Sequence, residues 1–178
     1  MKLKNLVALS ALILGTAAHA APTLQVTPAS LSADPGTTTG WSFSLTNDTS
    51  NFLLVTGSAF LPSPQSAFGT YADLTTDTLL LLNPGDTLTE SFDLLLGTGL
   101  GAFTFAPSAH GYLSGNLEVF YSLFSADPFT VDDPSSVVVE EDAHADARTE
   151  ARAIPEPTSL ALVGLAGVAA FSRRRRTA

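Results

Sequence analysis

The chain has 178 residues, no cysteine and a formal net charge of −9. It is long enough for one modest domain, and it excludes disulfide frameworks and thiolate metal sites. Between residues 21 and 157 only Arg148 and Arg152 stand against seventeen carboxylates, a formal charge of −15; phosphate-led recognition of nucleic acid is thereby excluded and any polyanionic partner disfavoured.

The N-terminus predicts a cleaved secretory signal helix over residues 1–20. Lys2 and Lys4 form a positive start, Leu6 to Gly15 a short apolar run, and Ala18-His19-Ala20 places small residues at both recognition positions, with cleavage before Ala21. The apolar run is too short for an ordinary membrane span.

Residues 21–125 predict a single all-β domain. Trp41, Phe43 and Leu45 alternate with Ser42, Ser44 and Thr46, the period of a half-buried strand. Further strands are expected over Phe52–Ala59, Leu79–Leu82, Thr87–Leu96 and Ala102–Phe105. Asn116–Phe124 is apolar on both faces, as a central strand would be. Turn signals lie between them: Asp34-Pro35-Gly36, Asn47-Asp48, Asn83-Pro84-Gly85-Asp86 and Gly97-Thr98-Gly99. Short strands with regular turns and no helical period indicate a β-sandwich. Asp34–Leu45 also aligns without gaps to Asn83–Leu94, each a Pro-Gly turn feeding a strand. We read these as two similar strand entries in one sandwich rather than a 49-residue repeat. The Pro-Gly turn, the strand and the closing Leu45-Thr46-Asn47 resemble immunoglobulin-like modules of bacterial surface proteins.

From residue 126 to 154 the composition turns acidic, with Asp127, Asp132, Asp133, Glu140, Glu141, Asp142, Asp146 and Glu150, beside Pro128 and Pro134. Val137–Val139 is read as at most one last strand. The rest predicts an extended, self-repelling linker.

Residues 155–178 read as a second address. Pro155-Glu156-Pro157 precedes Leu160–Phe171, which holds only Leu, Ala, Val, Gly and Phe, and Arg173, Arg174, Arg175 and Arg176 follow. As a helix, residues 158–172 would measure about 22 Å at ~1.5 Å per residue, against a hydrocarbon core of ~30 Å. The arginines suit a cytoplasmic anchor, and the two prolines keep the residues around Glu156 extended. The three elements, in this order at the end of the chain, resemble the PEP-CTERM sorting signal. The resemblance covers about 24 residues, 155–178. It implies export by a Gram-negative, polysaccharide-producing cell, passage through the inner membrane on a short transmembrane helix, and processing near Pro155–Pro157 by an exosortase, after a signal peptidase has acted at the N-terminus. The destination it implies is the cell surface or the extracellular space.

Candidate chemistry in the middle is sparse. His110 and His144 lack any His-x-x-x-His or Glu-x-x-His spacing, so neither is expected to hold a metal. Glycosidase-type pairing of Glu90, Asp93 and Glu118 is weighed against ordinary solvent-facing acids, the reading preferred here; Glu90 shares the parity of Leu88 and Phe92 and is expected to point inward at an edge. No Gly-x-Ser-x-Gly nucleophile motif is present. The acidic segment lacks EF-hand spacing for Ca²⁺. Asn47-Asp48-Thr49 has the form of a glycosylation sequon. Trp41, Tyr71, Tyr112 and Tyr121 are expected in the core rather than on a sugar-stacking surface, and Thr37–Thr39 and Thr75-Thr76 show no spacing of a regular cross-strand array. The expectation is a non-enzymatic surface or matrix protein without cofactors: an immunoglobulin-like sandwich between a signal helix and a short transmembrane helix. The alternatives are a carbohydrate-binding module for extracellular polysaccharide and, third, a secreted hydrolase.

Overall fold

The computed structural model describes residues 20–61, 67–76 and 79–154. The expected signal helix, with Ala18, and the C-terminal segment, with Pro155, Glu156, Pro157 and Arg173–Arg176, lie outside the described residues. Among the described residues no helix is long and apolar enough to cross a membrane. Ala20 and Ala21 are exposed and lead directly into the first strand.

The described chain is all-β. Its strands are β1 (Thr23–Thr27), β2 (Ser30–Ala33), β3 (Thr38–Thr46), β4 (Phe52–Leu61), β5 (Gly69–Asp73), β6 (Leu81–Leu82), β7 (Thr87–Glu90), β8 (Gly101–Phe105), β9 (Gly111–Phe124) and β10 (Val138–Ala153). One sheet runs β1-β3-β8-β5, with β7 also paired to β3; the other runs β2-β10-β9-β4-β6. Neighbours are antiparallel except β2 and β10, which are parallel. The chain changes sheets between β1 and β2, next to the cis Thr27–Pro28 bond.

The period-2 pattern read in β3 holds: Trp41, Phe43 and Leu45 are buried, and Ser42, Ser44 and Thr46 face outward. Trp41 and Phe103 from one sheet meet Phe60 from the other, with ring centroids 5.6 to 6.1 Å apart. These are ordinary aromatic packing distances. Asn116–Phe124 lies within β9, which is flanked by β10 and β4; Leu117, Val119, Tyr121 and Leu123 are buried between the sheets, while Asn116, Glu118, Phe120 and Ser122 on the other face are half-buried.

The acidic linker is corrected. Residues 138–153 form the longest strand described, β10, paired with β9 along its length and with β2 at its end. From Ala143 the sequence alternates strictly: Ala145, Thr149, Ala151 and Ala153 turn inward and are buried, while His144, Asp146, Arg148 and Arg152 turn outward. Asp146 and Glu150 share the outward face of the strand, Glu140, Glu141 and Asp142 lie at its irregular start, and Asp127, Asp132 and Asp133 precede it, so the acids do not hold the segment away from the domain. The β domain therefore extends to Ala153 rather than ending at residue 125.

The strand expected over Thr87–Leu96 is also shorter. It stops at Glu90 because Asp93 takes over: its carboxylate accepts from the Leu95 and Leu96 amides at 2.8 and 3.2 Å, and its backbone pairs with Thr98. This local side-chain turn outcompetes the ladder and leaves Leu94, Leu95 and Leu96 exposed. The two Pro-Gly turns do behave alike. Gly36 and Gly85 sit at φ 82° and 81°, the left-handed region glycine tolerates, and each feeds a strand. Those strands, β3 and β7, pair with each other.

Candidate functional site

The residues weighed for chemistry do not converge. Glu90 stands on β7 opposite Phe43, Asp93 caps its hairpin, and Glu118 lies on β9 opposite Asp146 in the other sheet. His110 is exposed in the loop before β9, and His144 is exposed on β10 opposite Phe120. Among the described residues no group of three or more His, Asp or Glu could hold a metal. Asp127 and Asp133 cap local turns, accepting from the Phe129 and Ser135 amides.

One buried polar cluster contains a serine. Ser58 Oγ lies 2.6 Å from Asp73 Oδ1, 2.8 Å from the Tyr71 hydroxyl and 2.9 Å from the Leu100 carbonyl. Asp73 also accepts from the Ser58 and Thr75 amides and the Thr75 hydroxyl. No imidazole is among the partners of Ser58 in this cluster, and the arrangement ties β4 to the opposite sheet. Burial, aided by the Asp73 charge and opposed by the hydrogen bond with Ser58, pushes the Tyr71 phenol above its ordinary range.

The sequon asparagine is structural as well. Asn47 is fully buried; its Nδ2 faces the carbonyls of Asn51, Asn83 and Leu82 at 2.8, 3.1 and 3.3 Å, and its Oδ1 accepts from the Thr49 amide and hydroxyl.

Of the four candidate stacking aromatics, Trp41 and Tyr121 are buried and Tyr71 half-buried; Tyr112 is exposed. Trp41 Nε1 donates to Thr149 Oγ1 at 3.0 Å. Sequence reasoning missed a different surface, the outer face of the β1-β3-β8-β5 sheet. The register aligns Thr23, Thr46 and Thr87 in one row, Gln25, Ser44 and Thr89 in the next, then Thr27 with Ser42, and beyond them Thr38, Thr104 and Thr70. Neighbouring hydroxyls touch: Thr46 with Thr87 at 3.0 Å, Thr89 with Ser44 at 3.2 Å and Thr38 with Thr104 at 2.9 Å. Of the threonines singled out in the sequence only Thr38 joins this array; its hydroxyls come from five strands and are ordered only by pairing.

Between these groups runs a row of small residues, Gly40, Ala102 and Ala72. Phe92 lies over its Gly40 end, where a Cβ on Gly40 would fall on the ring. The Phe92 amide donates to Ser42 Oγ at 2.9 Å, fixing the segment on this face. Inward parity with Leu88 was the expectation for Phe92. The end of β7 at Glu90 frees the chain to cross to the outer side.

Comparison with known proteins gives one sorting motif and a set of distant folds. Among solved structures, similarity is found to the VesB protease of Vibrio cholerae (18% identity, TM-score 0.39, 70% of this chain), of which the chain spans only 29%. A PapD-like domain of human CEP192 (12%, 0.36) is covered to 97% by 87% of this chain, and the class 5 fimbriae chaperone CfaA (10%, 0.27) to 56% by 75%. At these scores the sheets described above define the fold, and the likenesses add nothing to it. No curated protein matches the chain. The family model for the PEP-CTERM protein-sorting motif matches residues 153–176. The match begins at Ala153, the last residue of β10, so a β domain leads without a spacer into the tail. The chain carries a PEP-CTERM protein-sorting motif and is, by that motif, an exported protein targeted to an exosortase at the membrane.

Proposed function

We propose that this is a non-enzymatic protein of the cell surface or extracellular matrix, delivered in two steps. A signal peptidase removes residues 1–20, leaving Ala21 as the new N-terminus. Residues 158–172 then hold the chain in the inner membrane, with Arg173–Arg176 on the cytoplasmic side, until the exosortase acts near Pro155–Pro157. The β domain passes to the cell exterior or its polysaccharide. The observation that carries this reading is the sorting motif placed directly after the final strand. The immunoglobulin-like assignment is supported by the sheet change between β1 and β2 and by the parallel pairing of β2 with the last strand. The absence of convergent acid, base and nucleophile among the described residues favours a binding or structural role over hydrolysis.

The test is the intact mass and location of the protein in its host with and without the exosortase. A product lacking the residues beyond about Pro157, found outside the cell only when the exosortase is present, is expected. A full-length tail that stays in the inner membrane in both strains would mean a plain anchor and refute the reading.

A further inference from the structure

We propose that the outer face of the β1-β3-β8-β5 sheet, centred on Phe92, binds an extended neutral polysaccharide. The proposal rests on the matrix reading for where such a polymer is met, while the site stands on its own geometry.

The first observation is charge. In a domain with sixteen acidic side chains in its sequence, no outward position of the strands in this sheet is ionisable. The contrast is internal, since the outward side of β10 in the other sheet carries His144, Asp146, Arg148, Glu150 and Arg152. Asp48 touches the margin, accepting from Thr23 Oγ1 at 2.7 Å. Ionic partners gain nothing from an uncharged face on an acidic body, whereas a neutral polymer meets no repulsion there.

The second observation is hydrogen-bonding character. Each threonine or serine hydroxyl donates once and accepts twice, so the cross-strand pairs still leave sites open toward solvent. A sugar hydroxyl has the same dual character. Rows repeat every ~4.8 Å across strands and ~6.8 Å along them, and the cross-strand step is near the length of one sugar ring. Three aligned hydroxyls, as in Thr23, Thr46 and Thr87, would follow an extended chain across the strands.

The third observation is the ring. Phe92 is half-buried on a bed of small residues, with Ser42 on one side and the Thr38 and Thr104 pair on the other. An open aromatic ring between hydroxyls suits stacking against the apolar face of a sugar.

The test uses the chain from residue 21 to 178 in a detergent without a sugar headgroup, with amorphous cellulose as the probe. Retention undiminished by high salt is expected, because no ion pair takes part. Phe92→Ala should reduce it roughly tenfold. The pair Thr89→Lys and Thr104→Lys, both exposed and away from the core, should reduce it comparably, and Ser114→Lys on the outer face of the other sheet should leave it unchanged. Passage of the unmodified protein through cellulose unretained would overturn the proposal, as would equal losses from Ser114→Lys and the threonine pair. Capture by growing ice without capture by cellulose would reassign the face to ordered water and also overturn it. A chain that is sorted but not retained would end this proposal alone; a chain retained but never processed would end the sorting reading alone.

Discussion

Asn47→Ala is expected to be among the most damaging single changes in this domain although it removes only a few atoms. The Nδ2 group serves carbonyls from two separate segments, Asn51 on one and Leu82 and Asn83 on the other, and Oδ1 holds Thr49. It joins the end of β3 to the β6–β7 turn, whose Gly85 amide also donates to the Asn47 carbonyl at 2.8 Å. Net hydrogen bonds of ~1 kcal/mol each, together with carbonyls left short of a partner at ~1–3 kcal/mol, bring the cost to roughly 3 kcal/mol. That is a large share of a typical stability of ~5–15 kcal/mol and corresponds to a midpoint lowered by roughly 10 °C. Trp41 is the chain's one tryptophan and is fully buried, so its emission during urea or thermal unfolding reports the transition directly. Asn47→Asp should cost at least as much, because a carboxylate would face three carbonyl oxygens. If both variants melt within about 2 °C of the parent, the side chain is not the joint described here.

Other expectations follow from the same contacts. Thr149→Val strands the buried Trp41 indole N–H and the Ala29 carbonyl, and should cost about 2 kcal/mol in urea unfolding. Ala151→Glu puts a carboxylate between the sheets, where Ala151 is wholly inaccessible, and should prevent folding, as seen by loss of the Trp41 signal and rapid proteolysis; Arg148→Glu on the outward side of the same strand should shift stability by no more than ~0.5 kcal/mol. A true linker would tolerate both. The Tyr71 and Tyr121 phenols are raised by burial, each reinforced by a nearby acid. Their contribution is intact below the ordinary phenol value of ~10 and is lost as pH climbs above it, since the unfolded chain ionises first. Tyr71→Phe should flatten part of that alkaline decline in a melting series.

The parts legible in the sequence were those where one residue type repeats at one period. Trp41, Phe43 and Leu45 announce β3, and Pro35-Gly36 and Pro84-Gly85 announce two turns whose geometry demands glycine. β10 was missed because its inward residues are alanines and a threonine. Ala145, Thr149, Ala151 and Ala153 are buried, but their hydrophobicity is too slight to stand out beside five carboxylates, and alanine is not a strand former. β1, β2 and β5 are short edge pieces defined by partners far away in the chain. The hydroxyl face has the same cause. Thr38, Thr70 and Thr104 become neighbours only through β8, so no linear spacing could reveal them. The buried Asn47 imitates a modification signal because Asn-x-Thr is also a good local turn.

The place of β10 in the chain also sets a clock. Ser30 meets Glu150 across 120 residues, and β9 needs the same strand on its other edge. On the proposed N-to-C export, β2 lacks its partner and β9 its second neighbour until residue 153 has emerged, when the sorting segment is the next to enter the membrane. Completion of the fold and arrival of the sorting segment are therefore nearly simultaneous. On the proposed route, the closing of β10 would leave a finished domain outside the membrane while Arg173–Arg176 hold the other end of the chain inside, a knot on one side and a charge on the other.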